Sequence, residues 1–223
     1  MGEDESSRCS IASSGENQKV RSTMVNLQGD WLARFRETFC TPPILETERL
    51  VLRPLTLTDA ASIFAYASDE LVARFTSWPA HRSLEDSQAF LNRVEMNRSK
   101  GEPTSWAVID RDSGRLIGTC GFVRILESTR SAVLGYAFAR DVWGRGFATE
   151  AASRSIAWGF ETLHFDEIEA TCLRENIGSA RVLEKIGMTQ SENKTRPEIE
   201  YFGTLIHYAI TRSEWTKYRQ LPR

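Results

Sequence analysis

Apolar and polar residues alternate along most of this chain with two periods, that of a strand and that of a helix. The longest helical stripe lies in the second half, where apolar residues recur at spacings of three and four. Its members are Ala148, Ala151, Ala152, Ile156, Ala157, Phe160 and Leu163. A stripe of this width predicts an α-helix that packs one face against a sheet.

Strand-like runs and shorter helices surround this stripe. The predicted strands cover residues 50–55, 106–109, 116–126, 132–138, 167–173 and 201–210. One further helix opens at Thr58 and Asp59, one begins at Ser83 with Asp86 as its capping-box partner, and a short one covers residues 179–186. Strands come first, and strand–helix–strand units follow. This order predicts an α/β (α+β) fold, with a mixed central sheet and helices on both faces.

The chain divides into three parts by composition. Residues 1–28 are rich in Ser, Glu, Asn, Gln and Gly, so they predict a disordered leader. Residues 29–44 predict an amphipathic helix and a linker, with Asp30 as N-cap. The helix carries an apolar stripe of Trp31, Leu32, Phe35 and Phe39. Because such stripes are usually covered, packing against the domain formed by residues 45–223 is favoured over binding a separate partner.

Composition narrows the class of protein. A chain of 223 residues can bury one sizeable core, and its formal net charge of -2 gives no electrostatic case for nucleic-acid binding. No run approaches the roughly 18 apolar residues of a membrane span, so no membrane partner is expected. Acidic Glu3, Asp4 and Glu5 argue against a mitochondrial presequence, and the leader lacks a secretory apolar segment. The predicted location is therefore cytoplasmic.

The four cysteines, Cys9, Cys40, Cys120 and Cys172, lack the paired spacing of a zinc site or disulfide framework. We therefore expect no metal. Cys120 and Cys172 fall in apolar, strand-like runs, which predicts two buried thiols.

The predicted strand 132–138 leads into the long helix through two glycines, Gly144 and Gly146. Glycine lets the backbone turn tightly, and the first amides of a helix have no partner inside it. With the helix dipole these amides attract an anion, so residues 142–149, here called the glycine junction, predict a phosphate site. The chain has no Gly-Lys pair for a P-loop, and Thr149 stands where a dinucleotide fingerprint needs a third glycine. The alternative is a tight turn without a ligand.

Three ordered segments resemble the GNAT acetyltransferase superfamily, and within it the Rim-type branch that acetylates N-terminal amines of ribosomal proteins. They are residues 134–138 (LGYAF), 143–151 (WGRGFATEA) and 174–188 (RENIGSARVLEKIGM). The superfamily motif reads Gln/Arg-x-x-Gly-x-Gly/Ala; this chain has Trp143, Gly146 and Ala148 at its defined positions. Tryptophan departs from the motif but is similar to the Rim-type version. The resemblance covers about residues 45–215.

The resemblance implies a GNAT fold of about seven strands, in which two central parallel strands splay apart to admit acetyl-CoA. Backbone amides from Gly144 to Ala148 would hold the pyrophosphate, with Arg145 adding charge. The pantetheine arm would pair with the edge at residues 136–138, where a backbone N–H would face the developing oxyanion. The cofactor-binding residues are therefore expected to be Tyr136, Ala137, Phe138, Trp143, Gly144, Arg145, Gly146, Phe147, Ala148, Thr149, Asn176 and Ser179.

Many GNAT enzymes place a tyrosine on the helix of residues 179–186 to protonate the departing thiolate, but this helix contains none. In the Asn176-x-x-Ser179 arrangement of the Rim-type branch, Ser179 is the candidate for that role, Asn176 would contact the coenzyme or brace the strand, and Tyr208 is the reserve donor. Both Asn176 and Ser179 also suit a helix cap. A structural role for Glu150 is at least as strong as a catalytic one. The possible proton acceptors are Glu169, His164, His207 and Tyr208, and no spacing favours one.

The resemblance implies direct acetyl transfer to a primary amine in a ternary complex. A weakly basic acceptor is favoured, because neutralising an α-amine at pH 7 costs about 1–1.4 kcal/mol and neutralising a lysine roughly 4.6 kcal/mol. A protein N-terminus is therefore the favoured acceptor. A small-molecule amine remains an alternative, with the acceptor side built from residues 64–81 and the final hairpin. A non-catalytic acyl-CoA-binding module is another, and the expected assembly is a monomer or homodimer.

Overall fold

The computed structural model describes residues 31–191 and 204–220. Its centre is an eight-stranded mixed sheet with the order β1-β2-β3-β4-β5-β6-β8-β7. The strands are β1 (Leu45–Glu46), β2 (Leu50–Pro54), β3 (Ser105–Asp110), β4 (Leu116–Leu126), β5 (Ser131–Phe138), β6 (Glu167–Leu173), β7 (Thr189–Gln190) and β8 (Leu205–Thr211). The expected count was about seven. The sheet exceeds it because its two edge strands, β1 and β7, contain two residues each, too few for an alternating pattern.

Seven helices accompany the described strands. They are α1 (residues 31–40), α2 (Ala60–Ala67), α3 (Glu70–Ala73), α4 (Leu84–Ser99), α5 (Phe147–Glu161), α6 (Ile177–Lys185) and α7 (Arg212–Tyr218). Ser83 and Asp86 form the predicted capping box of α4. The predicted start of α6 at residue 179 is wrong by two residues, because Asn176 caps the helix from outside. In the described ranges, no helix has the length and apolar character needed to cross a bilayer.

Alternating side chains divide the core between the two faces of the sheet. On one face α1, α5 and α6 cover a larger core, to which Trp106 and Val108 of β3 contribute. On the other face α2, α3 and α4 cover a smaller core, to which Ala107 contributes. This alternation is the period-2 geometry of a strand that is buried on both sides. The mixed sheet with helices on both faces is therefore confirmed.

Helix α1 packs on the larger core. Phe39 is fully buried, and its ring meets the edge of Trp158 on α5 at a centroid distance of 5.7 Å. The indole nitrogen of Trp31 donates to the Leu163 carbonyl oxygen at 2.7 Å. The apolar stripe of this helix thus covers α5 and the sheet. The predicted cap Asp30 and the predicted leader, residues 1–28, lie outside the described residues, as do residues 201–203 of the last predicted strand.

The parallel strands β5 and β6 separate soon after they meet. They pair only over Ser131–Val133 and Glu167–Glu169. Beyond this point β5 remains paired with β4, and β6 remains paired with β8. The gap between residues 134–138 of β5 and residues 170–173 of β6 is called the β5–β6 cleft below. The predicted splayed central strands are therefore confirmed.

The burial of α1 makes a prediction about stability. Phe39→Ala should lower the free energy of unfolding by about 3–5 kcal/mol, because it leaves a cavity between α1, Trp106 and Trp158. Urea denaturation measures this change. Ile44→Ala, at a side chain that is 59% exposed, is the control and should cost little. Equal effects of the two substitutions would mean that α1 does not stabilise the domain.

Candidate active site

The glycine junction lies at the carboxyl end of β5. After Phe138 the chain makes a 3-10 turn at Arg140–Val142, so the expected direct passage from strand to helix contains one extra turn. Gly144 has φ +73° and Gly146 has φ +82°, a left-handed region that side chains rarely adopt. A Cβ added to Gly144 would meet no atom within 4 Å. The junction therefore has a tight backbone with an open side.

The open side of the junction presents unpaired donors. Among the described residues, no acceptor pairs with the backbone amides from Gly144 to Thr149, and the first helical hydrogen bond runs from Glu150 N to Gly146 O. These amides precede or open α5, a helix of 15 residues, so the positive end of its dipole adds to them. The arrangement fits a phosphate group.

Trp143 and Arg145 differ in what their side chains do. The Trp143 indole nitrogen donates to the Phe138 carbonyl oxygen at 2.9 Å, so it ties the end of β5 to the junction. Its ring remains 46% exposed. The exposed Arg145 has its guanidinium carbon 5.0 Å from the centre of the Phe147 ring, where it adds positive charge to the junction.

Several predicted cofactor-binding residues can contribute only their backbone. Phe138 and Phe147 are buried in the larger core. Ala148 packs against that core, and Ala137 packs against the smaller core on the opposite face. A ligand at the junction or in the cleft would therefore meet the main chain of these residues. Thr149, half-buried in the first helical turn, adds the last of the unpaired amides.

The β5–β6 cleft leaves one edge of β5 open. In the described part of the chain, residues 134–138 pair with β4 alone. An exposed strand edge offers a row of peptide donors and acceptors to an extended, amide-bearing ligand. Because this edge leads to the glycine junction, one ligand with both amides and phosphates can occupy both.

Two hydroxyl groups meet across the cleft. The Tyr136 hydroxyl of β5 lies 2.8 Å from Ser179 Oγ of α6, and it also donates to the Ser179 carbonyl oxygen at 3.3 Å. Burial raises the pKa of Tyr136, so its phenol stays protonated. Burial also raises the pKa of the Cys172 thiol on β6. Ser179 is thus at the centre of a small cluster of protonated donors.

Asn176 has the role of a helix cap. Its side-chain oxygen accepts the Ser179 amide at 3.0 Å, so the cap uses the backbone of Ser179 and leaves the serine hydroxyl to Tyr136. Tyr208 lies on β8 in the same core, almost fully buried, and accepts a hydrogen bond from Gln190 Nε2 at 3.3 Å. Burial raises the pKa of Tyr208, so its phenol stays protonated.

The other possible proton acceptors occupy different places. Glu169 is almost fully buried and belongs to the last residue pair before the cleft opens. Because side chains alternate along a strand, Glu169 and His207 lie on the face of the sheet that α2 covers. Cys172 and Tyr208 lie on the opposite face. His164 is exposed in the turn after α5, at the far end of that helix from the junction. Of these three residues, only Glu169 and His207 lie in strands that border the cleft or adjoin it.

The contacts of Glu150 were not predicted. Its Oε1 accepts from Thr47 Oγ1 at 2.6 Å and from Arg49 N at 2.9 Å, while its Oε2 lies 2.7 Å from Arg49 Nε. Burial favours a higher pKa for Glu150, but the hydrogen bonds from Thr47 and Arg49 outweigh it, so the pKa lies below its ordinary value. A carboxylate in the first turn of a helix that is predicted to bind an anion indicates that a positive side chain lies nearby. The sequence alone does not identify that side chain as Arg49.

Unpaired amides that continue into an open strand edge, with a protonated hydroxyl across the cleft, fit a donor molecule that carries phosphates and amides. Residues 49–189 match the family model of the acetyltransferase (GNAT) domain. The uncharacterized N-acetyltransferase YoaA of Bacillus subtilis is 34% identical over 162 residues, covering 73% of this chain and 91% of the relative. The chain belongs to the GNAT acetyltransferase family and is an N-acetyltransferase.

Other similarities extend over most of the chain. The FsC-acetyl coenzyme A-N(2)-transacetylase of Aspergillus fumigatus is 31% identical and covers 81% of each chain. A GNAT-family acetyltransferase structure from Bacillus anthracis is 27% identical with a TM-score of 0.66, covering 77% of this chain and 99% of that one. RimL, a ribosomal L7/L12 alpha-N-protein acetyltransferase in complex with coenzyme A, has a TM-score of 0.66, 14% identity, and coverage of 76% and 98%. At that identity RimL shows the fold alone.

The Glu150 contacts predict a pH-dependent stability. A carboxyl whose pKa is lowered by folding stabilises the protein above its unfolded pKa of about 4.3, and loses this effect as the pH falls through its folded pKa. Glu150→Gln should therefore lower the free energy of unfolding by about 1–3 kcal/mol at pH 7, and the difference should shrink below about pH 4. Urea denaturation across this range measures it. Glu161→Gln, at a carboxylate that is half exposed, is the control. A difference in unfolding free energy between wild type and Glu150→Gln that does not change with pH would contradict the lowered pKa of Glu150.

Proposed function

We propose that this N-acetyltransferase moves the acetyl group of acetyl-CoA directly to a protein N-terminal α-amine within a ternary complex. Acetyl-CoA supplies an acyl group that is activated as a thioester. The observation that carries the proposal is the continuity of three features: the unpaired amides of the glycine junction, the open edge of β5, and the Ser179 hydroxyl across the cleft. These match the phosphates, amides and sulfur of one coenzyme molecule.

The coenzyme is assigned to the main chain more than to side chains. The amides of residues 144–149 would bind its pyrophosphate, with Arg145 adding charge. Residues 136–138 would pair with its pantetheine amides, as an added strand does, and one N–H of this edge would face the carbonyl oxygen on which charge develops. The open space around Gly144 supports this fit, because a side chain there would occupy the cradle.

Ser179 is proposed to protonate the departing thiolate. Serine is a weak acid, so its proton is most useful when a neighbouring donor stabilises the oxygen that is left behind. The Tyr136 hydroxyl, 2.8 Å away and kept protonated by burial, supports that role. Asn176 would position Ser179 through the cap, and Tyr208 is the reserve donor from β8.

The acceptor amine is proposed to approach from the face of α2. Glu169 and His207 lie on this face, beside the cleft and opposite the proposed leaving-group side. An α-amine needs little assistance to lose its proton at neutral pH, which suits a site without a dominant base. RimL, which shares the fold, is an alpha-N-protein acetyltransferase, so a protein N-terminus is an acceptor that this fold can serve. Action as a monomer or homodimer in the cytoplasm is part of this proposal.

A small-molecule amine is the second candidate acceptor. The observation that favours it is the similarity to the Aspergillus fumigatus transacetylase over 81% of both chains. A non-catalytic acyl-CoA-binding module would keep the junction but would not need the Ser179–Tyr136 pair.

The test of the proposed function is acetyl-CoA turnover with a panel of acceptors, read by release of the free thiol. We expect the highest kcat/KM with peptides that have a free N-terminus and none with the same peptides blocked by N-acetylation. Peptides with a blocked N-terminus and a free lysine distinguish the two kinds of amine. Preference for a small amine would support the second candidate. Binding of acetyl-CoA without turnover on any acceptor would support the non-catalytic module.

The proton-donor role makes its own prediction. Ser179→Ala should lower kcat by about ten- to a hundred-fold, because general-acid assistance acts mainly in the transition state and water can replace part of it. Acetyl-CoA affinity and melting temperature should stay near wild type, since Asn176 accepts the backbone amide of residue 179 in both proteins.

Tyr136→Phe is the companion variant. It keeps the ring but removes the hydroxyl beside Ser179, so it should lower kcat less than Ser179→Ala does. In the double variant the two losses should not add, because they act on the same proton. Steady-state kinetics at saturating acetyl-CoA measures these values. Wild-type turnover in Ser179→Ala would remove the serine from the mechanism and leave Tyr208 or water as donor.

A further inference from the structure

Arg49 forms a connection between the start of the sheet and the glycine junction. It lies between β1 and β2, nearly a hundred positions before the junction in sequence. Its Nη1 donates to the carbonyl oxygen of Arg145 at 3.0 Å. Its Nε and Nη2 hold Glu150 Oε2 at 2.7 and 2.6 Å. Its guanidinium carbon lies 4.5 Å from the centre of the Phe147 ring.

The contact with the Arg145 carbonyl fixes the direction of the next amide. No described peptide bond is cis, and in a trans peptide the C=O of one residue and the N–H of the next point in opposite directions. Because the Arg145 carbonyl oxygen points to Arg49, the N–H of Gly146 points away from Arg49. Among the described residues nothing accepts from this N–H, so it faces the open side of the junction.

A peptide beside a glycine can flip at low steric cost, since glycine tolerates both signs of φ. A flip of the Arg145–Gly146 peptide would turn a carbonyl oxygen toward the open side and would repel a phosphate there. The hydrogen bond from Arg49 opposes this flip. Glu150 in turn fixes Arg49 because two guanidinium nitrogens contact one carboxylate oxygen, Oε2, and the planar guanidinium is more rigid than a lysine side chain.

This network also explains a carboxylate next to a predicted anion site. An uncompensated Glu150 would repel phosphate, but here it accepts from Thr47, from the Arg49 backbone and from the Arg49 guanidinium. Each nitrogen of that guanidinium has one protein acceptor, which accounts for three of its five N–H donors. These three contacts assign Arg49 to holding the junction.

We infer that Arg49, fixed by Glu150, is a positioning residue for coenzyme binding that turns the Gly146 amide toward the pyrophosphate. The inference rests on the proposed use of acetyl-CoA. A positioning role and a direct electrostatic role predict opposite changes in acetyl-CoA affinity for the Glu150→Gln variant. If Arg49 acted only by its charge, Glu150→Gln would leave more positive charge near the phosphates and tighten acetyl-CoA binding. If Arg49 acts by position, the same substitution loosens it and weakens binding.

The test is calorimetric titration of the folded proteins with acetyl-CoA. Arg49→Met should raise Kd about tenfold or more, since a hydrogen bond to a charged group is lost. Glu150→Gln should also raise Kd, and Arg49→Lys should recover little, because lysine keeps the charge without the fork. Arg219→Met, which breaks a pair with Glu161 at the other end of α5, is the matched control and should bind as wild type does.

Kinetics then separates positioning from a general loss of structure. With acetyl-CoA, Arg49→Met should raise KM and leave kcat within about twofold of wild type. With S-acetyl-pantetheine, which lacks the pyrophosphate, the variant and wild type should have the same kcat/KM. A variant that is equally impaired with both donors would overturn the inference.

The outcomes also separate this inference from the proposed function. A wild-type protein that does not bind acetyl-CoA would overturn the proposed function and this inference with it. A wild type that binds, combined with unchanged binding by Arg49→Met or tighter binding by Glu150→Gln, would overturn the positioning role alone. Should Arg49→Met fail to fold, Arg49→Lys and Glu150→Gln give the same decision.

Discussion

The early separation of β5 from β6 is the constraint on which the site depends. The two parallel strands share only the pairs from Ser131 with Glu167 to Val133 with Glu169, and each then continues with its other neighbour. The remaining backbone of β5 has donors and acceptors on a side that no described strand satisfies. An exposed strand edge offers these peptide groups to an amide-bearing ligand, which can pair with them as an added strand does. The Tyr136–Ser179 contact spans the same gap and places a hydroxyl group where the ligand would end.

The second constraint is the charge balance at the glycine junction. Anion binding by a helix N-terminus needs unpaired amides, positive potential and a backbone that does not flip. The helix dipole and Arg145 supply potential, while Arg49 and Glu150 cancel each other and hold the backbone. The pair therefore adds geometry without adding net charge. This division of roles explains why a carboxylate lies within one turn of the proposed pyrophosphate site.

The sequence predicted those features that depend on local pattern. The apolar stripe from Ala148 predicted α5, the glycine pair predicted a tight turn before it, and Ser83 with Asp86 predicted the capping box of α4. It did not predict contacts that depend on which side chains meet across the sheet. The pairing of Tyr136 with Ser179 requires the width of the cleft, and the pairing of Arg49 with Glu150 requires the stacking of α5 on the start of β2. Neither distance is encoded in a sequence period. The sequence also could not decide which of Asn176 and Ser179 caps α6. The structure shows that Asn176 caps the helix by accepting the backbone amide of Ser179.

One coenzyme molecule is proposed to occupy both the glycine junction and the open edge of β5. The most direct measurement is an NMR titration of the amide-labelled protein with acetyl-CoA. We expect the largest shift changes at the amides of residues 144–149 and 134–138, with saturation at one equivalent. The strongest changes within residues 68–82, on the face of α2, with the junction amides unmoved, would contradict it.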